Sequence, residues 1–371
     1  MNVIVTSLGN CGDPSFHGGI PYYFFQAGKQ KQHFQQVYHP EVNLNYVKKR
    51  NYWRLKRLIG FKMPKGFQYS FNFLNTLDHR IPLELKPSCW ISFNQVFPLA
   101  EDIKKQGGLI FYYIDATLIN LKNNPDYNLS IAHDIWEEAF QREKKNYQHA
   151  DKIVIRSSWI KETLKSAYKI PANKIIHILP GANFPEKIKI KPKKSKKADD
   201  LIILGFIGKD WKRKGLPLVV DIKNQLKARG LKVKINVIGY LPDYMYKDPD
   251  INYKGFINKS TQLNDFVSVV QECDLGTLFS TTEAFGLSAF EFIRLGVPVA
   301  GYDHQGLKDS IPLSAGFRYD LQMSADQIAN QLFNYFMDKH SQASKINGAM
   351  TLAAKVTWKR CIDEWKVLLN E

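Results

Sequence analysis

Thr281-Thr282-Glu283-Ala284-Phe285-Gly286-Leu287-Ser288-Ala289-Phe290-Glu291 sets two glutamates on either side of a short, glycine-bearing loop. Upstream, Asp274 to Phe279 is an apolar run that reads as a buried strand. Downstream, Phe292-Ile293-Arg294-Leu295 continues a helix that Gly296 ends, and Val297-Pro298-Val299-Ala300 reads as the next strand. Strand, loop, helix and strand make a βαβ unit. Its loop lies at the carboxyl end of a strand, where open parallel sheets bind ligands.

The chemistry follows from that placement. Backbone N–H groups of Gly286, Leu287 and Ser288 lack partners within the helix and sit at the positive end of its dipole, which suits a phosphate. Glu291, about one turn into the helix, can accept from the two vicinal hydroxyls of a ribose. Glu283, out on the loop, can reach the hydroxyls of a second sugar. The plainer alternative is an ordinary helix with two solvated glutamates.

A second basic loop points the same way. Leu201 to Ile207 reads as a strand, followed by Gly208-Lys209-Asp210-Trp211-Lys212-Arg213-Lys214-Gly215 and a helix from about Leu216 to Lys227. Gly208 permits close approach and the lysines supply charge for a phosphate. By itself such a loop is equally a solvated basic turn.

Together, Glu-Ala-Phe-Gly-Leu at 283–287, Glu291 and Gly296-Val-Pro-Val resemble the signature of the family-4 retaining glycosyltransferases of the GT-B fold. The resemblance is strongest over residues 130 to 320. It implies an α/β chain of two Rossmann-like domains whose parallel sheets face a central cleft. Residues 1–188 would form the acceptor-side domain, completed by a C-terminal helix at 353–371. Residues 189–200 would be a lysine-rich linker and 201–352 the nucleotide-sugar domain. The implied reaction moves a sugar, with retention, from a nucleotide diphosphate to a hydroxyl of a glycan or lipid-linked acceptor, in surface polysaccharide or glycolipid synthesis. Glu283, Asp115 and Lys214 would be catalytic. The donor would meet Gly18, Gly19, Gly208, Lys209, Lys214, Phe256, Glu283, Phe285, Gly286, Leu287, Ser288 and Glu291. No cofactor or metal is expected, because lysines and amides take the diphosphate. Asp115 stands where many members of the family place a histidine or other polar group, which puts a histidine role in doubt.

Composition narrows the remaining options. The 371 residues suffice for two domains, and a hydrophobic share of 44% supports full cores. The net charge is +17, from 52 Lys and Arg against 35 Asp and Glu, which favours an anionic partner. Tyr46 to Phe67 mixes bases with large apolar groups, and on a helix Tyr52, Leu55 and Ile59 would share one face. Such a helix either faces a core or lies in an anionic membrane surface. No run of eighteen apolar residues occurs, and Met1 to Thr6 reads as a strand rather than a signal peptide. Cys11, Cys89, Cys273 and Cys361 are scattered, which fits a reducing cytoplasm, with peripheral attachment to the inner membrane face as the added expectation. Asp248-Pro249-Asp250 has the spacing of a metal-binding Asp-x-Asp but lies in a loop of the wrong architecture. No nucleic-acid motif is present. Two other classes remain: a sugar-nucleotide epimerase on the same fold, and a non-catalytic basic protein that binds anionic glycan or nucleic acid.

Overall fold

Val3-Ile4-Val5-Thr6 and Phe111-Tyr112-Tyr113-Ile114 are buried at every residue rather than at alternate ones. That is the mark of strands covered on both faces, which belong in parallel sheets. The computed structural model describes residues 2–41, 45–77, 88–124 and 130–370 and contains two such sheets of six strands. The chain divides into two compact units, Met1–Leu179 with Ile362–Glu371, and Pro180–Cys361.

In the first unit the strands are β1 (Asn2–Thr6), β2 (Gln36–Tyr38), β3 (Ser88–Ser92), β4 (Leu109–Ile114), β5 (Lys152–Ile155) and β6 (Ile175–His177). They pair in parallel in the order β2-β1-β3-β4-β5-β6. The order reverses between β1 and β3, so the loop after β1 opens at a switch point. The helices are α1 (Ile20–Gln30), α2 (Tyr46–Ile59), α3 (Phe71–Leu74), α4 (Ala100–Lys105), α5 (Leu118–Lys122), α6 (His133–His149) and α7 (Lys161–Ser166). A core of Ile4, Trp90, Ile110, Tyr112, Ile153 and Ile155 from the sheet packs with Tyr147 of α6 and Leu164 of α7. After β5 the chain makes a 3-10 turn at Ser158–Ile160 that leads into α7.

Second-unit strands are β7 (Leu201–Gly208), β8 (Lys232–Gly239), β9 (Ile251–Tyr253), β10 (Leu275–Leu278), β11 (Val299–Tyr302) and β12 (Gly316–Tyr319). Their parallel order is β12-β11-β10-β7-β8-β9. The helices are α8 (Leu216–Ala228), α9 (Leu263–Glu272), α10 (Leu287–Arg294), α11 (Leu307–Ser310), α12 (Ala325–Met337) and α13 (Lys339–Ala353), and α14 (Trp358–Asn370) begins in this unit. The switch point lies between β7 and β10, so the loops after those two strands open side by side. These are the basic loop at 208–215 and the glutamate loop at 279–286.

Two sequence expectations change, the linker and the C-terminal helix, and on α2 the shared face turns outward. Residues 189–200 are not a free linker. Gln271 Nε2 donates to Lys189 O at 2.8 Å, Lys193 Nζ donates to Gln271 O at 2.7 Å, and Lys196 exchanges two hydrogen bonds with Gln342. The backbone there carries the donors and acceptors that the second unit needs, so the strap belongs to that unit from Pro180 on. Helix α14 is also divided. Its first turn counts with the second unit, with Trp358 Nε1 donating to Asn183 Oδ1 at 3.1 Å. The remainder counts with the first, with Trp365 edge-on to Phe24, Phe111 and Tyr113. On α2 the inward residues are Trp53 and Arg57, while Tyr52, Leu55 and Ile59 face out. Arg57 turns inward because Asp134 of α6 takes both its Nη groups, at 2.8 and 2.7 Å, and Trp53 stacks beneath its guanidinium.

Candidate active site

Lys214 and Glu283 meet across the second unit's switch point. Lys214 Nζ lies 2.9 Å from Glu283 Oε2, Arg213 Nη1 lies 3.5 Å from the same oxygen, and Ser280 Oγ donates to it at 3.1 Å. Each side is fixed by backbone. Gly215, at φ +79°, lies so close to β10's end that a Cβ there would stand 2.4 Å from the Phe279 carbonyl oxygen. A side chain at that position would force this backbone away from β10's end. On the other side, Glu283 N donates to Gln305 Oε1 at 2.9 Å, and Gly306 N donates to Glu283 O at 3.1 Å. The loop after β11 thus clamps the glutamate loop. Burial pushes the Glu283 carboxyl up, but the charges of Lys214 and Arg213 and the hydrogen bonds from Lys214 and Ser280 outweigh it and hold the group below its ordinary value.

A second ion pair lies further along α10. Lys259 donates to Glu291 Oε1, and its ammonium faces the Phe184 and Phe266 rings. Glu291 is buried, so its charge requires such a partner. The helix begins at Gly286, whose φ of +92° turns the chain into α10, and where a Cβ would stand 2.7 Å from Ser310 Oγ. Leu287 and Ser288 form its first turn. Ser288 Oγ is buried and has no hydrogen-bond partner among the described residues. Lys209 is exposed, with Nζ 4.3 Å from the centre of the Phe256 ring, which is half exposed. Gly208 ends β7, and a Cβ there would meet the Lys214 side chain.

Phe285 was expected to face the donor, but its ring is buried against Phe290. Its packing anchors the loop, and only its backbone is available. The structure therefore brings Gly208, Lys214, Glu283 and Gly286 to one switch point. Lys259, Arg213 and Gln305 complete the ion pairs and the clamp. None was singled out from sequence. Arg213 was legible as one of several clustered bases, and nothing in the sequence links Lys259 to Glu291.

The first unit holds the other candidates. Gly18 and Gly19 have φ of +64° and +84° and make the entry to α1, with His17 also at positive φ. Asp115, just past β4, pairs with Arg156 just past β5 at 2.8 Å. Arg156 is 2% exposed and lies over the Phe93 and Tyr113 rings. Burial and the Arg156 charge hold the His17 imidazole below its ordinary value, with Asp115 opposing them. Asp115 is therefore committed to an ion pair rather than to a helix cap, and Thr117 caps α5 instead.

Asp248 and Asp250 are each taken by a lysine of α8, Lys223 and Lys227. Among the described residues no group of His, Cys, Asp and Glu is gathered as for a metal ion.

Comparison with known proteins bears on the fold. Residues 187–349 match the family model of glycosyl transferases group 1. No curated protein matches the sequence. Among solved structures, sucrose-phosphate synthase from Thermosynechococcus elongatus superposes with a TM-score of 0.65 at 14% identity, over 100% of this chain and 98% of that one. Anabaena HepE in complex with UDP gives 0.62 at 13% identity, over the whole of both chains. A mutant of S. aureus TarM gives 0.56 at 12% identity over 88% of this chain and 59% of its own. At these identities the likeness is one of fold. The chain has the GT-B glycosyltransferase fold, with a group 1 glycosyl transferase match over residues 187–349 of its second unit.

Proposed function

We propose that this protein is a retaining glycosyltransferase of the family-4 type, moving a sugar from a nucleotide diphosphate to a hydroxyl of a glycan or lipid-linked acceptor. The observation that carries the reading is the Lys214–Glu283 pair at the switch point. An ammonium has three donors, so Lys214 can hold Glu283 and still donate to a departing diphosphate. Arg213 adds charge beside it, and the α10 N-terminus supplies backbone N–H groups. The Lys214, Arg213 and Ser280 contacts all fall on Glu283 Oε2, which leaves Oε1 to accept from the donor sugar. Glu291, oriented by Lys259, is assigned to the ribose, and the unpaired Ser288 hydroxyl to a donor oxygen. Phe256 and Lys209 form an exposed ring–cation pair suited to a base and a phosphate. In this reading the charge that develops on the leaving diphosphate meets fixed cations, so no metal is needed.

In the first unit, Asp115 is assigned to the acceptor, with Arg156 fixing its orientation. The bound UDP in the Anabaena HepE structure makes a UDP-sugar the first donor to try. The test is a thermal-shift screen of UDP-, GDP-, ADP- and CMP-sugars, followed by turnover with and without acceptor. A ligand at a hundred times its Kd should add about 2.7 kcal/mol of stability. Nucleoside diphosphate released only when acceptor is present supports transfer. Conversion of the sugar-nucleotide without any acceptor would instead support an epimerase.

A further inference from the structure

Helix α2 wears its apolar side chains on the outside. Trp53 and Arg57 point inward, while Tyr52, Leu55, Leu58 and Ile59 are 56–70% exposed. The chain beyond the helix continues the row with Phe61, fully exposed, and Met63. An exposed apolar row of this kind marks an interaction surface. It is flanked by Lys48, Lys49, Arg54, Lys56 and Lys62, and no acidic residue occurs between 45 and 66.

A cavity opens at the same helix. It has a volume of about 300 Å³ and is lined by Tyr46, Arg50, Arg54, Lys65 and Phe67, among others. Three cations thus converge on one concave site, and the Arg50 Nε is buried there without a hydrogen-bond partner. Arg57 is excluded from this set, because Asp134 already holds it. A basic cavity beside an exposed apolar row matches the two parts of a phospholipid, an anionic headgroup over apolar chains.

We propose that α2 and the loop through Lys65 dock this protein on an anionic lipid surface. The row from Tyr52 to Met63 enters the interfacial zone, and the Arg50–Arg54–Lys65 cavity takes a lipid phosphate. Charge decides against a second copy of the chain as the occupant, since two such uniformly basic faces would repel each other. A neutral apolar partner would leave the three cations of the cavity unmatched. The proposal does not depend on sugar transfer, and its test reads no turnover.

The test is flotation of the full chain with vesicles of phosphatidylglycerol and phosphatidylcholine, against vesicles of phosphatidylcholine alone. Two variants are compared with the wild type: Leu58→Gln/Ile59→Gln/Phe61→Gln, and Arg50→Gln/Arg54→Gln/Lys65→Gln. Thermal melting and far-ultraviolet circular dichroism check that both fold. The wild type should float with the anionic vesicles and not with the neutral ones, and raised salt should release it. Each variant should lower partitioning by about tenfold or more. A wild type that stays below the anionic vesicles at low salt overturns the proposal, as does flotation unchanged in both variants. A concentration-dependent dimer that the Leu58/Ile59/Phe61 variant abolishes would assign the face to a second copy. Binding of inorganic phosphate that the arginine–lysine variant loses, with flotation intact, would make the cavity a site for free phosphate and overturn its lipid role.

Discussion

Lys214 has three donors, and Glu283 occupies one of them. Removing the ammonium would therefore have two effects in the proposed reading: a bound diphosphate would lose a charged contact, and the Glu283 carboxylate would keep only Arg213 as a nearby cation. A charged hydrogen bond is worth roughly 1.5–3 kcal/mol. Lys214→Ala should lower turnover more than tenfold while the protein stays folded, and initial-rate kinetics check this. The two glutamates should separate cleanly. Glu291→Gln should weaken binding of free nucleoside diphosphate, because that carboxylate is assigned to the ribose. Glu283→Gln should spare it and impair transfer. Calorimetry on both variants decides, and equal losses would mean that the sugar has been misplaced. Both glutamates were legible in the sequence, because their loop and glycine are contiguous. Lys259 was not, because its pairing with Glu291 spans thirty-two positions and depends on how the segment after β9 folds back.

At the scale of elements, the crevice depends on backbone that tolerates no Cβ. Gly215→Ala would place a methyl 2.4 Å from the Phe279 carbonyl oxygen at a positive φ. The strained backbone alone costs about 1–3 kcal/mol, so a lower melting temperature and weaker nucleotide binding are expected together in calorimetry. Helix α6 carries a different load. Glu143 is buried and accepts from Tyr147 OH at 2.8 Å, from Tyr168 OH and from Leu118 N. Burial pushes its carboxyl up to about 7 against those hydrogen bonds. A raised folded value binds the proton more tightly in the native state. The stability it confers is complete below the ordinary glutamate value of about 4.3 and is lost as pH rises to about 7. Denaturant melts of the wild type should therefore lose stability between pH 5 and 7.5 relative to Glu143→Gln, which carries no titrating group. Parallel curves for the two proteins would contradict the assignment. The strands β1, β7, β10 and β11 and the helices α8 and α10 were legible because their apolar runs are bounded by glycines or loops, whereas β2 and β12 are too short and too polar to show. The face of α2 was not, since Arg57 goes inward only because Asp134, in a distant helix, meets it.

For the whole molecule, the two switch points account for where the candidate residues gather. Both sheets are parallel throughout, so their loops gather at the carboxyl ends, and the candidate residues lie where the strand order reverses. The lysine-rich stretch at 187–197 shows the limit of composition as a guide. Its charge reads as a free linker, whereas Lys193 and Lys196 give hydrogen bonds to the second unit. The described helices include none long and apolar enough to cross a membrane. In the proposed reading the second unit holds a nucleoside diphosphate against Lys214 and Glu291. Calorimetric titration of UDP, and then of GDP and ADP, into the wild type, Lys214→Ala and Glu291→Gln tests it most directly. The account predicts one site in the wild type for one of these nucleotides, weakened at least about tenfold in each variant. No binding of any of them, or equal affinity in all three proteins, would contradict it.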